Sequence, residues 1–187
     1  MQIPIYQIDA FTDKAFGGNP AAVCPLDAWL ADETMQAIAF ENNLSETAFY
    51  VANDTGGYDL RWFTPAAEVD LCGHATLATG SLILEKLTPD AEGVKFETRS
   101  GTLSVVRENG NLVMDFPALP PTPADMPEGL VEAIGHEPEA FVRAAKNMAI
   151  FADETTVRAI DPDLGYIAGM ERSEERRVGK ECRSRWS

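Results

Sequence analysis

Asp70-Leu71-Cys72-Gly73-His74-Ala75-Thr76-Leu77-Ala78-Thr79-Gly80-Ser81-Leu82-Ile83-Leu84-Glu85-Lys86 is the stretch that decides the fold. From Ala75 to Leu84 it holds only small, aliphatic or hydroxyl-bearing residues and no charge on any face. A helix that is apolar all round is buried, so this segment predicts a central helix that other elements must enclose. Its first turn opens with Cys72, Gly73 and His74. Backbone N–H groups without intrahelical partners, the positive end of the helix dipole and two reactive side chains then sit together inside the protein, where an anion can be held. The motif also allows a plainer reading, in which Gly73 only permits a tight turn and His74 only caps a core helix.

On the N-terminal side, Ile3 to Phe11 alternates apolar with mostly polar residues and reads as a strand, Pro4 being tolerable at its start. Phe16-Gly17-Gly18-Asn19-Pro20 is a tight turn that re-enters as a short apolar strand. Asp32-Glu33 opens a helix carrying Met35, Ile38, Ala39 and Leu44, with acidic residues suited to its first turn and Asn42-Asn43 suited to a left-handed end. Strands follow over 44–52 and 58–65, separated by Asn53-Asp54-Thr55-Gly56-Gly57. Glu46 lies at the mouth of an otherwise apolar strand, a partly desolvated setting that suits proton transfer; a solvated strand end is the alternative.

On the C-terminal side, residues 94–116 read as three strands broken at Ser100-Gly101 and Asn109-Gly110, strands that would wrap the apolar helix. Five prolines between Pro117 and Pro127 mark a boundary. The expected organisation is a first domain over 1–118, a Pro-rich linker over 119–127 and the incomplete start of a second domain over 128–172. Residues 173–187 carry five of the fifteen Lys and Arg residues in an otherwise acidic chain. That composition break reads as a foreign tail, such as translated vector or adaptor sequence, with a genuine basic tail as the alternative.

The net charge of −15 argues against nucleic acid as a partner, because phosphate backbones are held by clustered Lys and Arg. Cys24, Cys72 and Cys182 are too few and too scattered for a disulfide framework or a zinc site. They fit a reducing compartment, the cytoplasm by default. No stretch approaches the ~18 apolar residues of a membrane span, so neither a membrane nor a metal ion is expected as a partner.

Four blocks carry a resemblance. Asp9-Ala10-Phe11-Thr12 with Phe16-Gly17-Gly18-Asn19-Pro20-Ala21-Ala22-Val23, then Ser45-Glu46-Thr47-Ala48-Phe49, then Arg61-Trp62-Phe63-Thr64-Pro65, then Cys72-Gly73-His74-Ala75-Thr76 resemble the PhzF-like family of phenazine-biosynthesis isomerases in order and spacing. The resemblance implies an α+β, diaminopimelate-epimerase-like fold, a curved mixed sheet wrapped round a central buried helix, with only the start of a second similar domain here. It implies an isomerase that shuttles a proton on a small cyclic or hydroxy acid with no metal or organic cofactor, Glu46 being the catalytic residue. Ser45, Gly73, His74 and Asn19 would bind the carboxylate substrate. The family arrangement adds a homodimer as a partner to expect.

The chain departs from the family in lacking the aspartate and the glycine-rich Asp-Pro block at a second helix terminus. Half the cleft is then missing, and the isolated chain is expected to be inactive, with an apolar face left uncovered. Two other functions stay open. Cys-Gly-His at a helix start also resembles the thiol-based racemases and epimerases, with Cys72 as the alternative catalytic residue, and the fold can serve as a non-catalytic ligand-binding module.

Overall fold

A computed structural model describes residues 2–116, 118–144 and 146–169; the basic segment 173–187 and Cys182 lie outside the described residues. The chain divides between Phe116 and Pro117 into two compact units.

In the first unit, β1 (Tyr6–Ala10) and β2 (Asn19–Leu26) form an antiparallel pair. Gly18, between them, has a φ of +61°, and a Cβ there would stand 2.1 Å from the Ala10 carbonyl oxygen, so only glycine closes this loop. A crossover through α1 (Asp32–Asn42) makes β3 (Glu46–Ala52) parallel to β2, as a parallel pair requires. Helix α1 ends on Asn43 in the left-handed conformation, its N–H returning to the Ala39 carbonyl. β4 (Tyr58–Phe63) pairs antiparallel with β3 and with the short β5 (Glu68–Val69). The chain then enters α2 (Gly73–Leu82), which runs into a π-helical turn over Ile83–Leu87. β6 (Gly93–Thr98), β7 (Gly101–Glu108) and β8 (Asn111–Met114) complete the sheet as an antiparallel meander, β6 lying parallel to β4. The last hairpin has two loop residues, Asn109 and Gly110, both at positive φ as a tight hairpin turn demands.

The sheet order is β1-β2-β3-β4-β6-β7-β8. Helix α2 nevertheless touches β1, β2 and β3 as well as β7 and β8. Strands from both ends of that order can meet one helix only if the sheet curls round it. The enclosed helix needs polar economy, and Thr76 and Thr79 supply it by donating to the carbonyls of Cys72 and Ala75 one turn back. Gly80 lets helix and sheet close, since a Cβ there would lie 2.7–2.9 Å from the side chain of Val105 on β7.

The two-residue period of the strands sorts side chains between the faces. On β3, Ala48 and Tyr50 pack in the core that surrounds α2, whereas Phe49 joins Cys24, Met35, Ala39 and Phe63 in a smaller core beneath α1. Glu46 shares the parity of Ala48 and Tyr50, and Asn19 that of Ala21 and Val23, so both belong to the face that holds α2. Cys24, on the other face, is fully buried, and burial pushes its thiol up to about 12. We expect iodoacetamide to leave Cys24 unlabelled in the folded protein and to label it once the chain is unfolded, as read by peptide mass spectrometry.

Arg61 fastens the outer face. Its guanidinium donates to both Glu68 carboxylate oxygens at 2.7 and 2.8 Å and to Asp32 Oδ1 at 2.9 Å, and its Cζ stands 5.4 and 5.2 Å from the Trp29 and Phe63 ring centroids. Arg99 adds a second contact to Glu68, at 2.8 Å, and Ser100 Oγ donates to the Asp70 carbonyl. These bonds tie β4, β5, α1 and the β6–β7 turn to the segment that leads into α2.

The hydrogen bond from Arg61, with its positive charge, holds the Asp32 carboxyl below its ordinary range. A depressed carboxylate contributes stability above its unfolded-state value and loses it as the pH falls through its folded-state value. Arg61→Met should therefore flatten the acid limb of a circular-dichroism stability profile below about pH 4, and an unchanged limb would contradict this account.

The second unit holds an antiparallel sheet of β9 (Thr122–Pro123), β10 (Ala140–Arg143) and β11 (Asn147–Ile150) with α3 (Leu130–Ile134), α4 (Glu154–Ala159) and α5 (Leu164–Gly169). Ala133, Ile134 and Ile167 form its small core. The expected linker over 119–127 is corrected here, because Thr122 and Pro123 pair with Arg143 and Val142 and belong to this sheet. Proline is admissible because β9 is an edge strand, where a missing N–H costs no ladder bond. No helix among the described residues is long and apolar enough to cross a membrane.

Candidate active site

Three segments distant in sequence converge at the head of α2. The start of β2 delivers Asn19, the start of β3 delivers Ser45 and Glu46, and the helix start delivers Cys72, Gly73 and His74. Asn19 is 0 % exposed, Glu46 1 %, and Cys72 and His74 3 % each. Burial of Glu46 is deeper than a strand mouth suggests, because β2 and β4 flank β3 on both sides and the helix covers its inner face.

His74 is the hub. Its Nε2 lies 3.3 Å from Glu46 Oε2 and 3.2 Å from Ser45 Oγ, and its Nδ1 lies 3.4 Å from Cys72 Sγ. Ser45 Oγ is also 3.4 Å from both Asn19 Oδ1 and the Pro20 carbonyl, positioned to donate to either. The Asn19 Nδ2 donor is buried with no hydrogen-bond partner among the described residues. Leaving such a donor unmet costs about 1–3 kcal/mol.

Gly73 adds a second unusual feature. Its φ is not in the left-handed region, and a Cβ there would meet nothing nearer than Phe116 Cζ at 3.9 Å. Neither backbone strain nor packing accounts for a glycine at this position. The helix it begins has ten residues, and no side chain caps its N-terminus, so its first N–H groups and dipole face the same small volume.

Glu46, Cys72 and His74 each place a metal-ligating atom within 4.8 Å of the others. Carboxylate, thiol and imidazole are a donor set that zinc accepts. The thiol lies nearest Nδ1 and the carboxylate nearest Nε2, so the two other donors approach different nitrogens of the one ring. The same three groups can also carry protons, since carboxyl, thiol and imidazole each bind and release one.

All six residues singled out from sequence, Asn19, Ser45, Glu46, Cys72, Gly73 and His74, thus lie at one end of the central helix. Sequence reading missed the use of both imidazole nitrogens. The i, i+2 spacing of Cys72 and His74 across a helix start was the available signal.

Residues 8–176 match the family model described as phenazine biosynthesis-like protein, PhzC–PhzF. A Pseudomonas aeruginosa protein named uncharacterized isomerase PA2770 is 54 % identical over 170 residues, covering 91 % of this chain and 65 % of that protein. Uncharacterized isomerase BH0283 of Halalkalibacterium halodurans is 46 % identical, covering 89 % of this chain and 64 % of its own length. The chain therefore spans slightly less than two thirds of these relatives. The crystal structure of a PhzF-family phenazine biosynthesis protein from Enterococcus faecalis superposes with a TM-score of 0.82 at 39 % identity, over 91 % of this chain and 65 % of that one. A predicted epimerase from Pseudomonas aeruginosa, PA4716, at 20 % identity and a TM-score of 0.69, shares the fold. With its curled mixed sheet, its enclosed helix and a match over nearly its whole length, the chain belongs to the phenazine biosynthesis-like, PhzC–PhzF family.

Proposed function

We propose that this chain carries one half of the active site of an isomerase that moves a proton between carbons of a small carboxylic acid, with Glu46 as the acid–base group. The observation that carries the reading is a buried carboxylate 3.3 Å from an imidazole at a helix N-terminus that no side chain caps. A proton shuttle needs a group that accepts from one carbon and returns to another, and a carboxylate held within reach of its partner does both.

The substrate's own carboxylate would sit over Gly73, where the missing side chain lets it approach the helix N–H groups. Asn19 Nδ2 would donate to a second substrate oxygen and so satisfy a donor now buried without a partner. Ser45 holds both ends of this arrangement, reaching Asn19 on one side and His74 on the other.

The test is solvent exchange. Because the chain spans 65 % of its relative's length, the assay uses a chain completed with the C-terminal third of that relative, incubated in deuterium oxide with a panel of small cyclic and hydroxy acids. Deuterium entering a carbon-bound position, followed by NMR, is the expected result. Calorimetric binding of the same acids with no exchange would replace the isomerase with a binding module.

One observation favours a second reading, Cys72 as the carbon base, since its thiol lies beside an imidazole at a helix N-terminus. Cys72→Ser separates the two. Glu46 chemistry survives that change, whereas a thiol-based reaction is lost.

A further inference from the structure

We infer that Cys72 is a positioning residue that donates its S–H to His74 Nδ1 and so keeps the imidazole neutral with its proton on Nε2, aimed at Glu46 and Ser45. Two independent sets of contacts lead to this. On one side of the ring, Nδ1 faces the Cys72 sulfur at 3.4 Å. A thiol is a weak donor and a weak acceptor, whereas an imidazole nitrogen lone pair is a strong acceptor, so the complementary state of Nδ1 is the unprotonated one. On the other side, Nε2 faces the Glu46 carboxylate at 3.3 Å and the Ser45 hydroxyl at 3.2 Å.

Ser45 has one proton to give, and two carbonyl oxygens, of Pro20 and of Asn19, stand ready to receive it. A hydroxyl that donates to a carbonyl turns a lone pair to the imidazole. Nε2 then meets acceptors and Nδ1 meets a donor, and one tautomer satisfies each of these contacts: proton on Nε2, lone pair on Nδ1. The opposite tautomer sets two lone pairs against each other at Nε2 and a proton against a weak acceptor at Nδ1.

The consequence for chemistry rests on the reading of Glu46 given above. An Nε2–H here meets the Ser45 hydroxyl and lies beside the carboxylate, at 3.2 and 3.3 Å, and leaves the imidazole as a donor. The tautomer itself is independent of any substrate, so it can be tested apart from the reaction.

The 187-residue chain has only two histidines, His74 and His136. With 15N-labelled histidine, long-range 1H–15N correlation spectra give each ring a separate pattern, and His136→Gln identifies the remaining one as His74. The expected pattern has Nε2 as the proton-bearing nitrogen and Nδ1 as an unprotonated nitrogen moved upfield by the hydrogen bond it accepts. In Cys72→Ala the Nδ1 resonance should move downfield to that of an unbonded nitrogen. In Cys72→Ser, which keeps a donor in place, it should stay near its original position.

A His74 with its proton on Nδ1 would overturn the inference. So would an Nδ1 resonance identical in the parent chain and in a folded Cys72→Ala variant. Should the alanine variant fail to fold, the parent pattern and the serine variant still decide the matter. None of these outcomes bears on whether Glu46 moves a proton, which the deuterium assay reads by itself.

Discussion

Glu46→Gln is expected to lower deuterium entry into substrate by two to four orders of magnitude in a chain completed to the length of its relatives, the range over which a general acid–base group contributes. Glutamine keeps the size of the side chain and a carbonyl oxygen in the place of the carboxylate oxygen that lies 3.3 Å from His74 Nε2, so the buried contact is kept. What it cannot do is take up and release a proton. The fold should therefore survive, with unfolding midpoints of parent and variant within a few degrees, while exchange collapses. Glu46→Ala would be a poorer instrument, since it empties a fully buried position and leaves the imidazole facing a void. Exchange at the parent rate in the glutamine variant would remove Glu46 from the mechanism.

Gly80→Leu is expected to cost about 3 kcal/mol or more of stability, through overpacking of the helix against β7. The side chain would start 2.7–2.9 Å from three atoms of Val105, a fully buried residue stiffened by its β-branch. Neither the helix nor the sheet can step aside, because the sheet grips α2 on several sides. Gly80→Ala probes the same contact more gently. It gains about 1 kcal/mol of helix propensity and meets the same three atoms, so a net loss of about 1 kcal/mol is expected. At roughly 4–8 °C per kcal/mol for a domain near this size, thermal unfolding distinguishes the two variants from each other and from the parent. A leucine variant as stable as the parent would mean that α2 is held less tightly than these distances require.

How much of this could be read from sequence depends on how local each signal is. The enclosed helix was legible because Ala75 to Leu84 has no polar face to turn outward. The hairpin at Asn109-Gly110 and the left-handed end of α1 were legible because those residues tolerate positive φ. Glu46 was legible as a carboxylate beside apolar strand residues, but its depth was not, since that is set by β2, β4 and α2 closing over it.

The pairing of His74 with both Cys72 and Glu46 depends on which way a ring points, and residue order does not encode that. Pro117 to Pro127 marked the boundary between the units but hid the short strand within it, for the converse reason. Five prolines speak against a central strand but do not forbid an edge one, and the partner of Thr122 and Pro123 lies some twenty residues further on. Three of the four motif blocks did better, because they contribute residues to the strand starts and the helix start that meet at one place, while the Arg61 block fastens the outer face.

The enclosure of α2 also constrains the order in which this protein can become itself. The helix is made from residues 73–82, and its walls come from β1, β2 and β3, synthesised before it, and from β7 and β8, which end only at Met114. When the helix leaves the ribosome, the part of its apolar surface that β7 and β8 will cover is still bare. Two parallel strand pairings, β2 with β3 and β4 with β6, add contacts between residues far apart in the chain, the kind that slow folding. The first unit should therefore stay collapsed and sticky until the β7–β8 hairpin arrives, then close in one late cooperative step. Nascent chains stalled before that hairpin are the ones that would call on chaperones.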